Sequence, residues 1–173
     1  MMRYTTTYTS PLGEILLAAD DTGLTGLWFM GAKYFAAGLE SGAEEKELPV
    51  FRETKRWLDG YFSGREPDFL PPLHLSGTPF QMAVWKVMGE IPYGKTMTYG
   101  EIARRLGRPR ASQAVGSAVG RNPISVILPC HRVVGSSGSL TGYAGGMEKK
   151  VWLLDLEKAD KTGLFVPGKG PRW

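Results

Sequence analysis

The beginning of the chain carries short β-prone segments that are separated by turn signals. RYTTTYT and GEILLAAD are interrupted by Ser10-Pro11, and a DDTG turn precedes LTGLWF. In VFRETKRWLDGYF the apolar positions recur with the period of a helix, and Trp57 lies beside the apolar face that they form. The residues of that face are Phe51, Thr54, Leu58 and Tyr61. We predict antiparallel strands followed by a helix.

A stretch rich in proline and glycine, SGREPDFLPPLHLSG, follows this helix and is typical of a linker. We place a domain boundary there. Residues 1–77 are predicted to form an N-terminal α/β domain with its linker, and residues 78–173 a second domain.

Two helix starts open the second half of the chain. Thr78 with Gln81, and Thr98 with Glu101, have the spacing of capping boxes. The helix after Thr98 is predicted to end at Gly107. Its shared face consists of Tyr99, Ile102, Ala103 and Leu106.

A third helix is predicted in RASQAVGSAVGR, so that two helices joined by a short turn form a helix-turn-helix. Its buried stripe would be Ala111, Ala114, Val115, Ala118 and Val119. The opposite face carries only thin side chains, namely Gln113, Gly116, Ser117 and Gly120. Glycine on an exposed helix face costs about 1 kcal/mol against alanine. Two explanations fit this face: close packing against another helix, or close approach to a narrow surface such as a minor groove.

Composition describes an ordinary soluble protein, with 42% hydrophobic and 22% charged residues. No apolar run approaches a membrane span, and the first residues do not resemble a signal peptide. The single cysteine suggests a reducing, cytoplasmic location, and one cysteine with two histidines makes a structural zinc site unfavourable. We expect no metal and no cofactor.

Charge is divided unevenly along the chain. Residues 1–77 hold 7 Lys and Arg against 11 Asp and Glu, whereas residues 78–173 hold 14 against 6. A basic second half indicates a polyanionic partner, although a chance imbalance of surface charge explains the same counts.

The only cysteine, Cys130, follows an apolar run, SVIL, that we interpret as a buried strand ended by Pro129. A thiol in this place is either an inert core residue or a nucleophile. His131 is the nearest base, and it would reach the sulfur directly across a turn or through a bridging water. Arg132 adds positive charge.

The last helix, MEKKVWLLDLEKA, is predicted to bury Met147, Val151, Leu153 and Leu154. Glu157 leans toward this apolar face, and a buried acid needs a partner. His131 would serve as that partner, while a surface Glu157 paired with Lys158 or Lys161 is the alternative. His74 lies in the linker and receives no role.

The motif PCHRVV, with RNPIS before it and GSLTGYAGG and WLLDLE after it, closely resembles the O6-alkylguanine-DNA alkyltransferase family. These proteins are the methylated-DNA–protein-cysteine methyltransferases. The resemblance runs from about Thr78 to Leu156 and includes TPFQMAVWKVMGEIPYGKTMTYGEIA and AVGSAVGRNPI. SPLG and GLWF in the first half look like the family's N-terminal domain. The implied fold is α+β, with an N-terminal antiparallel β-sheet and helix (ribonuclease-H-like) and a mainly helical C-terminal domain containing the helix-turn-helix.

The resemblance implies a role for each matching residue of the reaction site. Cys130 is the alkyl acceptor, His131 deprotonates it through a water, and Glu157 supports His131. Asn122 pins the turn before the active-site strand. Tyr99 contacts the flipped base and helps to protonate the leaving guanine.

The resemblance also implies how DNA and the base are held. The recognition helix spans 110–121 and enters the minor groove, and a lid over the base spans 136–145. Carbonyl groups of Cys130 and Val133 would read the guanine amino group. The implied base-binding residues are Val133, Tyr143 (an aromatic wall), Ala144 and Gly145. The implied DNA-binding residues are Arg110, Ala111, Ser112, Gln113, Ala114, Gly116, Ser117, Gly120 and Arg121.

Two positions depart from the family pattern. Gln113 stands where many members have an arginine that fills the gap left by the extruded base. Ala144 stands where some members have serine, which leaves its backbone N–H to meet O6.

The implied function is direct-reversal repair of double-stranded DNA by a monomer. The protein flips out O6-alkylguanine, and O4-alkylthymine as well, and transfers the alkyl group irreversibly to Cys130. One alternative is an alkyltransferase-like module that binds lesions without transfer, but those relatives lack the cysteine. The other is a Cys-His-Glu hydrolase, which would turn over and would leave the thin basic helix unexplained.

Overall fold

The computed structural model describes residues 2–37, 39, 42–140 and 143–167, and the chain divides into two compact units. One unit comprises Met1–Ser76 with Pro123–Ser125, and the other comprises Gly77–Asn122 with Val126–Trp173. A short segment from the second half of the sequence therefore belongs to the first unit. Within the described ranges, no helix has the length and apolarity that a membrane crossing requires.

The first unit is built on a four-stranded sheet with the spatial order β3-β2-β1-β4. Its strands are β1 (Tyr4–Ser10), β2 (Gly13–Ala19), β3 (Leu24–Phe29) and β4 (Glu44–Glu45). The first three strands pair antiparallel, as their turn signals predict, whereas β4 adds a short parallel pairing to β1.

Helix α1 (Pro49–Phe62) contacts β1 and β2. It buries the face predicted from its sequence, with Thr54 and Trp57 among the shielded residues. At the free edge of β3, the Leu27 amide donates to the Pro123 carbonyl at 2.8 Å, and the Ser125 amide donates to the Leu27 carbonyl at 3.1 Å. These bonds explain why the segment 123–125 belongs to this unit.

The second unit is mainly helical. Its elements are α2 (Pro79–Gly89), β5 (Met97–Thr98), α3 (Tyr99–Arg105), α4 (Ser112–Gly120), a 3₁₀ turn (Cys130–Arg132), β6 (Val133–Val134) and α5 (Met147–Leu156). Both predicted helix caps are present, because the Thr78 and Thr98 side chains accept hydrogen bonds from the amides of Gln81 and Glu101. Helix α3 ends just before Gly107, which has a positive φ of 72°.

The buried stripe of α4 is shorter than the sequence pattern suggests. Val115, Ala118 and Val119 are buried, but Ala114 is exposed and Ala111 is half-buried. The helix begins only at Ser112, so Ala111 lies ahead of its first turn, and Ala114 lies to one side of the stripe. Trp85 of α2 donates its indole N–H to the Ala118 carbonyl at 2.9 Å. This hydrogen bond holds the buried face of α4 against α2.

Helix α5 buries a different set of residues from the predicted one. Leu153 and Leu154 are fully shielded, as expected, but Met147 and Val151 are only partly buried against a cluster of Val134, Leu140, Leu154, Ala159 and Val166. Lys150 is 1% exposed and takes a place in the interior that the sequence pattern did not predict.

Candidate active site

Cys130 lies on a 3₁₀ turn. The sequence pattern predicts a strand before it, but the structure has a turn there. Residues 125–127 form a turn in which Val126 has a φ of 70°, a left-handed conformation that breaks any strand. The run is buried nevertheless, so its apolar character reflects burial alone. Asn122 stabilises the turn by donating its side-chain N–H to the Leu128 carbonyl at 2.8 Å.

The turn itself is closed by two backbone hydrogen bonds. The Cys130 amide donates to the Leu128 carbonyl at 2.8 Å, and the Arg132 amide donates to the Pro129 carbonyl at 2.9 Å. Cys130 is 6% exposed and His131 is fully buried. The chain therefore holds the thiol and the imidazole on one tight, shielded turn.

His131 contacts Glu157, which directly follows α5. The distance between Nε2 of His131 and Oε2 of Glu157 is 2.6 Å, and neither side chain is exposed to solvent. This contact is the buried arrangement that the sequence offered as one of two possibilities for Glu157, and the pairing with Lys158 or Lys161 is not the one observed. Lys161 instead pairs with Asp155.

Glu157 has two further partners that the sequence reasoning did not assign. Arg132 donates to both carboxylate oxygens, from Nε to Oε1 at 2.9 Å and from Nη2 to Oε2 at 3.1 Å. The backbone amide of Gly94 donates to Oε1 at 3.1 Å. The carboxylate is thus compensated by hydrogen bonds on both oxygens.

Lys150 is the other residue that the sequence reasoning missed. Its Nζ donates to the Val133 carbonyl at 2.6 Å, immediately after the 3₁₀ turn, and its charge acts on Cys130. Lys150 precedes Leu153, Leu154 and Glu157 by three, four and seven residues, which is the spacing of one helix face. That spacing was the available signal for its burial.

The protonation of the site follows from its burial. Burial raises the pKa of the Cys130 thiol, while the Asn122 hydrogen bond and the Lys150 charge act in the opposite direction. Burial likewise lowers the pKa of His131, although Glu157 opposes this. The resting pair at neutral pH is therefore a thiol and a neutral imidazole.

The two charged neighbours are shifted as well. Burial alone would raise the pKa of Glu157, but the hydrogen bonds and charges of His131 and Arg132 outweigh it and hold this pKa well below its usual range. Burial lowers the pKa of Lys150 to about 8, although negative charge on Cys130 would raise it. Glu157 is ionised throughout the neutral range, and a carboxylate only accepts hydrogen bonds, so Nε2 of His131 carries the hydrogen.

Tyr99 is brought toward the 3₁₀ turn by a short parallel pairing. Strand β5 pairs with β6, with Met97 opposite Val133 and Thr98 opposite Val134. Tyr99 is the first residue of α3 and follows β5 directly. A Cβ atom placed on Gly116 would lie 3.8 Å from two ring carbons of Tyr99, so the start of α3 also lies against α4.

Helix α4 presents the thin face that its sequence suggests. Ser112, Gln113 and Ser117 are exposed, and Gly116 and Gly120 are half-buried. Arg110 and Arg121 are exposed beyond the two ends of the helix. A Cβ atom on Gly120 would meet nothing within 4 Å, so packing within the protein does not require glycine there.

The predicted lid is described in part. Thr141 and Gly142 lie outside the described residues, Tyr143 is buried, and Ala144 and Gly145 are half-buried. The first part of the segment pairs with the chain beyond α5, because the Leu140 amide donates to the Phe165 carbonyl at 2.8 Å and the Phe165 amide donates to the Gly138 carbonyl at 3.0 Å. The sequence reasoning found no role for the tail after Asp160, and part of that tail holds this loop.

His74, to which the sequence pattern gives no role, lies in the first unit. Its Nδ1 lies 2.6 Å from Oδ2 of the buried Asp20. The contact joins the linker to the end of β2.

Two models of one family match most of the chain. The model described as 6-O-methylguanine DNA methyltransferase, ribonuclease-like domain, matches residues 2–75, and the model of the DNA binding domain of the same enzymes matches residues 79–159. The chain belongs to the 6-O-methylguanine DNA methyltransferase family. The family predicted from the PCHRVV motif is therefore confirmed.

Individual relatives agree with this family over nearly the whole chain. A methylated-DNA–protein-cysteine methyltransferase of Methanosarcina acetivorans is 49% identical over 154 residues, which cover 89% of this chain and 97% of the relative. That of Haemophilus influenzae is 44% identical over 171 residues, or 98% and 94% of the two chains. The crystal structure of Mycobacterium tuberculosis OGT in complex with DNA aligns with a TM-score of 0.80 at 41% identity, over 95% of this chain and 99% of that chain. The predicted α+β fold and the predicted enzyme class are confirmed.

Proposed function

We propose that this chain repairs double-stranded DNA by extruding O6-alkylguanine, and O4-alkylthymine as a second substrate, and by moving the alkyl group to its own Cys130. The observation that carries the proposal is the 2.6 Å contact of His131 with Glu157, made from the same 3₁₀ turn that holds the only cysteine. A nucleophile, a base and a group that orients the base are thereby held together, as covalent catalysis requires.

The proton path follows from the charge states of the site. Nε2 of His131 donates to Glu157, so Nδ1 is the nitrogen that takes the proton of the Cys130 thiol, directly or through a water. The resulting imidazolium is stabilised by the ionised Glu157, and the thiolate by the nearby charge of Lys150. Proton transfer thus creates the nucleophile only within the buried site.

The transfer is an in-line displacement. The Cys130 thiolate attacks the alkyl carbon, a C–S bond forms as the bond from carbon to O6 breaks, and guanine leaves with the electron pair of that bond. The guanine anion then gains a proton, which Tyr99 helps to supply. A thioether does not return to a thiol by ordinary reduction, so each molecule acts once.

The base must leave the duplex to reach this buried thiol, at a cost of a few kcal/mol. We assign base contacts to the carbonyl groups of Cys130 and Val133, the ring of Tyr143 and the backbone N–H groups of Ala144 and Gly145. Lys150 already donates to the Val133 carbonyl, and a carbonyl oxygen has a second lone pair for the guanine amino group.

The thin face of α4 is the proposed minor-groove surface. Gln113 is exposed at its start and would occupy the gap left by the extruded base, while Gly116, Ser117 and Gly120 allow close approach. Arg110 and Arg121 flank the helix and would bind phosphates, so affinity should fall as salt rises. We propose that the protein acts as a monomer in a reducing, cytoplasmic setting, which keeps its thiol available.

Repair of a defined duplex tests the proposal. The protein is titrated against duplex DNA that contains one O6-methylguanine, and restored guanine is counted. Restored guanine should rise with protein and stop at one per molecule, and Cys130→Ser should restore none. Binding without restoration would favour the lesion-binding module, and continued turnover would favour the hydrolase.

A further inference from the structure

We infer that Arg132 is a positioning residue for alkyl transfer: its guanidinium keeps Glu157 ionised and aligned, and keeps His131 neutral so that it can accept the thiol proton. The inference rests on the proposed function, since it assigns Arg132 a part in that same proton transfer. Sequence reasoning gave Arg132 only a general positive charge near the cysteine.

The guanidinium engages Glu157 as a fork. Nε donates to Oε1 at 2.9 Å and Nη2 donates to Oε2 at 3.1 Å, so two parallel hydrogen bonds set the plane of the carboxylate. The remaining arm is fixed as well, because Nη1 donates to the Ile91 carbonyl at 2.7 Å. The ring centre of Tyr93 lies 5.7 Å from the guanidinium carbon. Arg132 therefore holds Glu157 from a position that is itself fixed.

The donors around Glu157 leave little room for a proton on the carboxylate. Oε1 accepts from Arg132 and from the Gly94 amide, and Oε2 accepts from Arg132 and from His131. A carboxylate has about four lone-pair sites, and these four bonds use them. Protonation of Glu157 would break one of them, so the proton between His131 and Glu157 stays on the imidazole.

The charge of Arg132 also acts on His131, where it lowers the pKa and so favours the neutral imidazole. A buried carboxylate beside an imidazole favours the imidazolium form, and an imidazolium cannot accept the thiol proton. The charged or titratable groups that act on His131 are Glu157, which attracts a proton, and Arg132 and Lys150, which both lower its pKa. Cys130 is the remaining titratable neighbour on this turn. Arg132 hydrogen-bonds to Glu157 directly, so it offsets the carboxylate charge next to the imidazole.

Two variants separate the charge of Arg132 from its fork. The rate of reaction of Cys130 with free O6-benzylguanine is measured against pH, which removes any effect of DNA binding. In Arg132→Gln the acid limb of the profile should move up by about one pH unit or more, because His131 becomes easier to protonate. Arg132→Lys keeps the charge but not the fork, so its acid limb should stay near that of the unchanged protein while the rate falls at every pH. A profile for Arg132→Gln that is lower but unchanged in shape would overturn the inference.

A measurement on the unchanged protein covers the case in which Arg132→Gln does not fold. The chain has two histidines, and His74→Gln identifies the imidazole ¹⁵N signals of His131. These signals should show mainly the neutral form, with hydrogen on Nε2, at about pH 6.5, where an ordinary histidine is half protonated. An imidazolium already present at neutral pH would contradict the inference. This readout needs no alkyl transfer, so a failure of the repair assay would overturn the proposed function and leave the charge state of His131 to be decided separately.

Discussion

Oε2 of Glu157 lies 2.6 Å from Nε2 of His131, and neither side chain is exposed to solvent. Glu157 directly follows α5, whereas His131 is on the 3₁₀ turn beside Cys130. The contact therefore links the reactive turn to the last helix. It lets Glu157 anchor the turn and, in the proposed mechanism, orient His131 as the base.

Replacing Glu157 with glutamine should lower the free energy of unfolding by about 3–5 kcal/mol, because it leaves the buried Arg132 without its carboxylate. The measurement is denaturant unfolding at neutral pH. Asp155→Asn is the matched control, since Asp155 lies in the last turn of α5, two residues before Glu157, but is exposed and pairs with Lys161. That control should cost less than about 1 kcal/mol. Equal losses in the two variants would contradict the anchoring role.

Stability should depend on acid pH through the same carboxylate. Its pKa is lowered in the folded protein, so the unfolded chain binds more protons below the ordinary value of 4.5. The stabilisation is fully present above that pH and is lost as the pH falls toward the folded pKa. The free energy of unfolding of the unchanged protein should therefore fall below about pH 4.5, and more steeply than that of Glu157→Gln. Identical slopes would show that Glu157 is not ionised and paired in the folded state.

Lys150→Met should separate reactivity from stability. The change removes a charge that lowers the pKa of the Cys130 thiol, so less thiolate forms and reaction with O6-benzylguanine at neutral pH should slow by about tenfold. The free energy of unfolding should change by less than about 2 kcal/mol. The variant loses the hydrogen bond to the Val133 carbonyl, but it no longer has to bury a charged ammonium group. An unchanged rate would show that Lys150 serves only to hold the Val133 carbonyl.

Gly120→Gln tests the thin face of α4. The new side chain meets no neighbouring atom within 4 Å of its Cβ, so the fold should be unchanged or up to about 1 kcal/mol more stable. Binding to duplex DNA should weaken about tenfold, a loss of about 1.4 kcal/mol, because the bulk blocks close approach. Reaction with free O6-benzylguanine should remain.

Gly60→Gln is the control, since Gly60 is another helical glycine with open space around it, on α1. Equal DNA affinity for the two variants would show that this face of α4 does not contact DNA.

Much of the second unit could be predicted because its signals are local. The Thr78 and Thr98 caps, the stop at Gly107 and the burial of Val115, Ala118 and Val119 follow from short-range spacing. The apolar run before Cys130 misled the prediction, since a buried turn and a buried strand have the same composition. Nothing in the residue type of Val126 indicates its positive φ.

The polar interior could be predicted only in part. The helical position of Glu157 indicated that it needs a partner, and His131 was among the candidates. Arg132 and Lys150 were not assigned because long basic side chains usually reach solvent. Their partners, the Ile91 carbonyl and the Val133 carbonyl, depend on tertiary packing that no local pattern contains. Helical spacing would have found Lys150, but not what it binds.

The mass of the peptide that contains Cys130 reveals whether the alkyl group moves to this thiol. The protein is incubated with a duplex that carries O6-methylguanine, digested, and analysed by mass spectrometry. One methyl group should replace the thiol hydrogen of Cys130, in an amount equal to the guanine restored. A Cys130 peptide that stays unmodified while guanine is restored, or restoration by Cys130→Ser, would contradict it.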